Sequence, residues 1–232
     1  MHVLDNPVWH ALIGFHATVA QRALYAARYE PDVAVFAAVP DNPVPAAWEG
    51  LRDIVGPGEQ ALLARQTIDV PPGWATQLVA PCRQMVLPSG IELDGPEGPA
   101  LPNTSFTPLT TDDVSEMLAL VERTRPGPFA RRTIELGAYV GVRRDGALIA
   151  MAGERLHPAG FTEISAVCTD AAFRGTGLAS HLVRAVVRGI RAREETPFLH
   201  LTTTNEGAHR VYSALGFETR TLLDVIAVKA PA

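Results

Sequence analysis

Residues 167–179 read Val-Cys-Thr-Asp-Ala-Ala-Phe-Arg-Gly-Thr-Gly-Leu-Ala: a strand end, a short turn, then Arg174-Gly175-Thr176-Gly177 at the mouth of an apolar-striped helix. This order of residue types suits the binding of a diphosphate. The first N–H groups of a helix have no partners inside it and carry the positive end of its dipole. Two glycines let an anion approach that backbone closely, so the segment makes a cradle with few charged side chains. Two other phosphate-binding patterns fail here. A P-loop needs Lys-Ser/Thr after its second glycine, where this chain has Leu178-Ala179. A dinucleotide fingerprint needs a third small residue and a later acid, but Gly175-x-Gly177-x-x-Ser180 departs from it and Thr202-Thr203-Thr204-Asn205 supplies no acid.

Other reactive side chains carry weaker signals. Cys168 lies in a Val/Ile-rich strand with no His–Asn pair placed to activate it, and reads as a small apolar filler. Ser165 lacks a Gly-x-Ser-x-Gly elbow. His157, His181, His200 and His209 show no metal-ligand spacing, and His-Glu-x-x-His does not occur. His200 sits between Leu199 and Leu201 in a strand-like run and reads as a satisfied core histidine.

Arg174-x-x-Gly177-x-Ala179 resembles the pyrophosphate-binding motif of the GNAT acetyltransferase superfamily. Downstream, Asn205-x-x-Ala208-x-x-x-Tyr212-x-x-x-Gly216-Phe217 resembles that family's second signature. The resemblance covers about residues 106–228. It implies an α/β fold with a mixed sheet whose central strands splay apart, and acetyl-CoA as acyl donor with no metal. It further implies donor contacts from Val167, Cys168, Thr169, Arg174, Gly175, Thr176, Gly177, Leu178, Ala179, Ser180, Asn205 and Ala208. Pantetheine would pair with the strand edge at residues 167–169. Tyr212 matches the family's tyrosine that acts as general acid, or as hydrogen-bond donor to the sulfur, for the thiolate that leaves when an amine attacks the thioester. For the base, Glu163 is the first candidate, on one strand face with Ser165 and Val167 by period-two alternation, acting directly or through a water. Glu154 is the second.

The elements that must position these residues are legible locally. Leu178, Leu182, Val183, Val186, Val187 and Ile190 recur at helical spacing, with Arg184, Arg188, Arg191 and Arg193 on the other faces, so helix 178–193 packs on a sheet. Its arginines are candidates for the adenosine 3′-phosphate, though most read as a solvated face. Strands are expected at 138–144 and 147–155, joined by Asp145-Gly146 as a type I′ hairpin. Strand 161–169, helix 178–193 and strand 198–204 then form a right-handed βαβ unit. A helix over 206–215 ends at Gly216, a strand follows to 228, and Thr110 or Thr111 caps the opening helix with Asp112 and Asp113 in its first turn.

The chain of 232 residues is long for one such module. Its formal charge of −5 argues against a nucleic-acid acceptor, which needs a concentrated basic surface. No apolar run reaches membrane-spanning length, the opening residues lack a signal peptide's basic start, and two cysteines, Cys82 and Cys168, suit a reducing cytoplasm. Residues 1–87 are expected to form a degenerate GNAT-like domain. Its elements would be a helix after Asn6-Pro7 striped by Val8, Ala11, Leu12, Phe15 and Val19, a strand at 33–39, a helix at 45–55, and short strands at 60–66 and 82–87. Without a cradle of its own it would extend the sheet, cover one side of the acceptor cleft, or dimerise. Residues 88–105, rich in Pro and Gly, read as a linker to the catalytic domain 106–232. The expected activity is acetyl-CoA-dependent N-acetylation of a small-molecule amine in the cytoplasm, by an enzyme that could be a homodimer. Acceptor choice would rest with the loops at 122–137 and 155–161 and with the N-terminal half, and Phe129-Ala130-Arg131-Arg132 hints at an anionic acceptor group. The alternatives are a non-catalytic acyl-CoA-binding protein and, less favoured by the failed fingerprint, a nucleotide-dependent oxidoreductase.

Overall fold

A computed structural model describes residues 2–66, 69–93 and 101–232. In chain order its helices are α1 (Pro7–Ile13), α2 (Pro45–Val55), α3 (Val114–Thr124), α4 (Leu178–Arg191) and α5 (Glu206–Ala214). Its strands are β1 (Ala20–Ala23), β2 (Ala26–Tyr29), β3 (Ala37–Ala38), β4 (Gln60–Arg65), β5 (Ala75–Val86) and β6 (Thr104–Leu109). They continue with β7 (Tyr139–Arg144), β8 (Ala147–Glu154), β9 (Phe161–Thr169), β10 (Thr196–Thr202) and β11 (Glu218–Lys229). A mixed sheet of eight strands runs β4-β11-β5-β10-β9-β8-β7-β6, beside a small β1-β2-β3 sheet.

The second half of the chain follows its local signals. Asp145 and Gly146 both adopt positive φ, 49° and 85°, as a type I′ turn requires, and β7 pairs β8 antiparallel across them. All six apolar positions of the α4 stripe are buried, and the helix lies on one face of β7–β10. Thr110 donates its backbone N–H (2.8 Å) and its hydroxyl (3.2 Å) to the Asp113 carboxylate, fixing the turn that opens α3.

β9 and β10 are parallel and pair from Phe161–Thr196 to Ile164–Leu199; among the described residues their register ends there. Beyond it the strands part, leaving the β10-facing edge of 165–169 open while the other edge stays paired with β8. A bulge interrupts that second pairing between Met151 and Gly153, and opposite it Ala166 takes φ 52°. The extra residue shifts the alternation. Ile164 and Val167 both pack toward α4, three residues apart, while Cys168 packs with Met117 and Leu120 of α3 on the far face. Glu163, Ser165 and Val167 therefore do not share the face that strict alternation predicts.

The first half of the chain departs further from expectation. Its β5 is twelve residues long and is inserted between β10 and β11, antiparallel to both, while β4 pairs the outer edge of β11. Residues on both sides of the expected linker thus share one sheet, and no separate first sheet of that size forms among the described residues. Residues 94–100 of that linker lie outside the described residues. Its flanks are docked: Arg191 donates to the Ile91 (2.6 Å) and Pro88 (3.1 Å) carbonyls, and β6 begins at Thr104. The strand expected at 33–39 shrinks to Ala37–Ala38, and the α1 stripe stops before Phe15, which is exposed. Val8, Leu12, Tyr29, Val33 and Phe36 nevertheless form one core with Cys82, Phe198 and Leu223. The two halves therefore share buried apolar surface as well as hydrogen bonds.

Candidate active site

The glycines expected to cradle a diphosphate lie in the turn between β9 and α4. Asp170 accepts from the Ala172 N–H (3.2 Å) and Thr176 donates to the Phe173 carbonyl (2.6 Å), folding 170–176 into a compact turn. Gly175 (φ 78°) and Gly177 (φ 82°) then hold left-handed conformations that L side chains avoid, and Gly177 is the N-cap of α4. A Cβ built at Gly175 would meet nothing within 4 Å, and one at Gly177 only His181 at 3.9 Å. The glycines thus leave open space over the first amides of a fourteen-residue helix, which fits a diphosphate.

From this mouth a cavity of about 820 Å³ runs through the splay. Val167, Cys168, Thr169, Arg174, Gly175 and Gly177 line its outer part, together with Leu178, Ala179, Ser180, Asn205, Ala208 and Tyr212. Thr176, turned back onto Phe173, and Glu163 are not among the lining residues. Asn205 accepts from the Ala208 N–H (3.1 Å), capping α5. That helix carries Tyr212 into the gap, where its ring packs edge-on against Phe217. Burial, with the Cys168 thiol nearby, pushes the Tyr212 hydroxyl up to about 12, so it stays protonated at neutral pH. The Cys168 thiol is itself raised by burial, which suits an apolar filler and not a thiolate.

The acidic candidates lie elsewhere. Glu163 has no exposed surface, and its carboxylate accepts two hydrogen bonds from Arg155 (2.8 and 2.6 Å) and one from His200 Nδ1 (2.7 Å). Burial alone would raise its pKa, but the Arg155 guanidinium and His200 overcome that and hold it at about 2. A carboxylate so held and screened from the cavity does not suit the base expected of it. His200 does line the cavity, but its Nε2 lies 2.9 Å from the Gln84 amide nitrogen. Gln84 is oriented by Leu4 and Arg220, so its N–H occupies the imidazole lone pair. Glu154 is buried on Arg193 (2.9 Å) and the Ala138 N–H (3.1 Å) and is likewise not among the lining residues.

The first half of the chain, expected to cover one side of the acceptor cleft, supplies part of the cavity wall through residues that sequence reasoning had not placed there. Val8, Phe36, Leu62, Ala64, Ala80 and Cys82, all from the first hundred residues, line the inner half of the cavity together with Leu223 and Val225. The 124–128 loop and Arg155-Leu156 complete the wall, within the two loop regions expected to face the acceptor. Arg132 does not serve an anionic acceptor. It is paired with Glu30, Asp32 and Glu135, and neither it nor Arg131 lines this cavity.

The whole chain matches a solved GNAT-family protein from Novosphingobium aromaticivorans DSM 12444 at 36% identity and TM-score 0.84, covering 100% of both chains. This chain belongs to the GNAT family. An FR47-like protein family model matches residues 139–224, the stretch from β7 into β11 that holds both signatures. A GCN5-related N-acetyltransferase from Kribbella flavida aligns over 100% of this chain and 97% of its own at TM-score 0.67, and at 19% identity it shows the shared fold. No curated protein matches the chain. GNAT membership and the geometry of the cradle support acyl transfer. Among the described residues no helix is long and apolar enough to cross a membrane, and no three His, Cys, Asp or Glu side chains are grouped to hold a metal ion.

Proposed function

We propose that this protein transfers the acetyl group of acetyl-CoA to the amine of a small molecule by direct attack. One observation carries the reading: a single cavity connects the open glycine cradle, the unpaired edge of β9 and the protonated Tyr212 hydroxyl. In this reading the amides at the start of α4 hold the diphosphate, and the backbone edge at 167–169 pairs with pantetheine. The thioester then lies in the splay beside Tyr212. As the amine attacks, Tyr212 donates its proton toward the departing sulfur. Neither Glu163 nor Glu154 is free to take the amine's proton, so the amine enters neutral, favoured by desolvation, and passes its proton to water. The buried Cys168 thiol, its pKa raised by burial, supports direct attack by the amine over an acyl-enzyme route.

The formal charge of −5 suits a small-molecule acceptor better than a nucleic acid, and the two buried free cysteines suit a reducing cytoplasm. The test is release of free coenzyme A from acetyl-CoA across a panel of primary amines, with acetyl-CoA affinity measured by calorimetry. Amine-dependent release supports the enzyme. Tight acetyl-CoA binding without release by any amine would identify a non-catalytic acyl-CoA-binding protein instead.

A further inference from the structure

The inner half of the cavity has a floor that the pairing register defines. On one face of β4, β11 and β5, Val225 stands opposite Ala64 on one side and Ala80 on the other, Leu223 opposite Cys82, and Ala227 opposite Leu62. All but Ala227 line the cavity, and Val8 and Phe36 close it from above. Leu62, Ala80 and Val225 remain half-buried, and Val79, also lining, is 52% exposed. Apolar side chains left incompletely covered inside a concave wall mark a ligand surface. The polar groups at the inner end are spoken for: Arg155 is neutralised by Glu163 and covered by the Phe36 ring at 5.2 Å, and His200 is held between Glu163 and Gln84. Among the described residues, the wall built by β4, β5 and β11 thus offers neither a cation for a carboxylate nor a carboxylate for a second ammonium, while the exposed Arg125 lines the cavity from the 124–128 loop.

Resting on the acetyl-transfer reading, we propose that the acceptor is a primary amine with an apolar body, an alkyl or aryl group seated on Leu62, Ala64, Ala80, Leu223 and Val225. The first half of the chain is then the specificity determinant of the second. An apolar chamber also disfavours the ammonium form, so the same wall that selects the acceptor helps deliver it as a nucleophile. The new bond is amine nitrogen to acetyl carbon and the bond broken is carbon to sulfur; Tyr212 supplies the proton that the thiolate takes and regains one from the solvent water to which the amine's proton is lost.

The unaltered full chain tests this with acetyl-CoA and a series from propylamine to octylamine, against glycine, ethanolamine and putrescine. We expect kcat/KM to rise by about fourfold per added methylene until the chamber fills. The polar amines should lie at or below propylamine. Leu62→Gln should flatten the series, acting through KM for the amine, with acetyl-CoA affinity unchanged in calorimetry. A flat series, a preference for glycine or putrescine, or a chain-length dependence that appears with octanoyl-CoA in place of the amine would overturn the proposal. If no amine releases coenzyme A, the transfer reading fails separately, and titration of octylamine into the CoA-saturated protein still decides. Binding weakened fivefold or more by Leu62→Gln upholds an apolar-amine chamber, and absence of binding removes it.

Discussion

Tyr212 and Glu163 differ in how far a single residue can be read from sequence. The position of Tyr212 was legible because its motif fixes a helical offset from Asn205, and both line one cavity. Tyr212→Phe removes only the hydroxyl, so we expect acetyl-CoA affinity to hold while amine-dependent turnover falls about 10²-fold. Parallel loss of binding would make the tyrosine a packing residue. Glu163 was legible as a position but not in its role, because its partners Arg155 and His200 come from a neighbouring loop and strand. Replacing it with Gln leaves the Arg155 charge buried and unpaired, so Glu163→Gln should cost about 3–5 kcal/mol in denaturant unfolding. The sign with pH follows from its depressed pKa. The stabilisation is present above the unfolded value near 4.5 and is lost as pH falls toward about 2, about 3 kcal/mol in all, and the variant should lack that acid slope. If the variant instead unfolds like the parent but loses the acid limb of its rate profile, Glu163 is the base after all.

At the scale of elements, local chemistry was readable and register was not. The α4 stripe, the Asp145-Gly146 hairpin and the glycine cap at 216 (φ 85°) each rest on residues within a turn or two of one another. The bulge at Ala166 has no such mark. Alanine is an ordinary strand residue, and the left-handed φ of 52° is imposed by β8, so alternation misassigned Val167. The cradle depends on local conformation more than on side-chain charge. Gly177 has φ 82°, so Gly177→Val strains the α4 N-cap besides placing a branched side chain over the amides. Acetyl-CoA binding should weaken tenfold or more, about 1.4 kcal/mol or above, in calorimetry. Unchanged affinity would mean the diphosphate sits elsewhere.

The whole molecule holds what no local pattern could reveal: the order of strands. Residues 82–87 read as one short strand of an N-terminal domain because pairing partners more than a hundred residues away leave no trace in periodicity. In the fold that segment is the end of β5, which fills the space between β10 and β11 and hydrogen-bonds to both. Gln84 extends the tie, bonding Leu4, His200 and Arg220 at once, and Arg220 continues to Asp5. Starting the chain near Asn103 would therefore do more than remove a neighbouring domain. It would strip β10 and β11 of a shared partner, leave their N–H and C=O groups to water or to other chains, and expose Phe198 and Leu223 from a core built mostly by the first half. We expect that truncated chain to aggregate, or to lose cooperative unfolding and near-ultraviolet dichroism, although both acetyl-CoA signatures remain in it. A soluble, cooperatively folded product that acetylates the cognate amine as fast as the full chain would show that β10 and β11 can close on each other. The first half would then be neither the missing strand of the sheet nor the wall of the acceptor chamber.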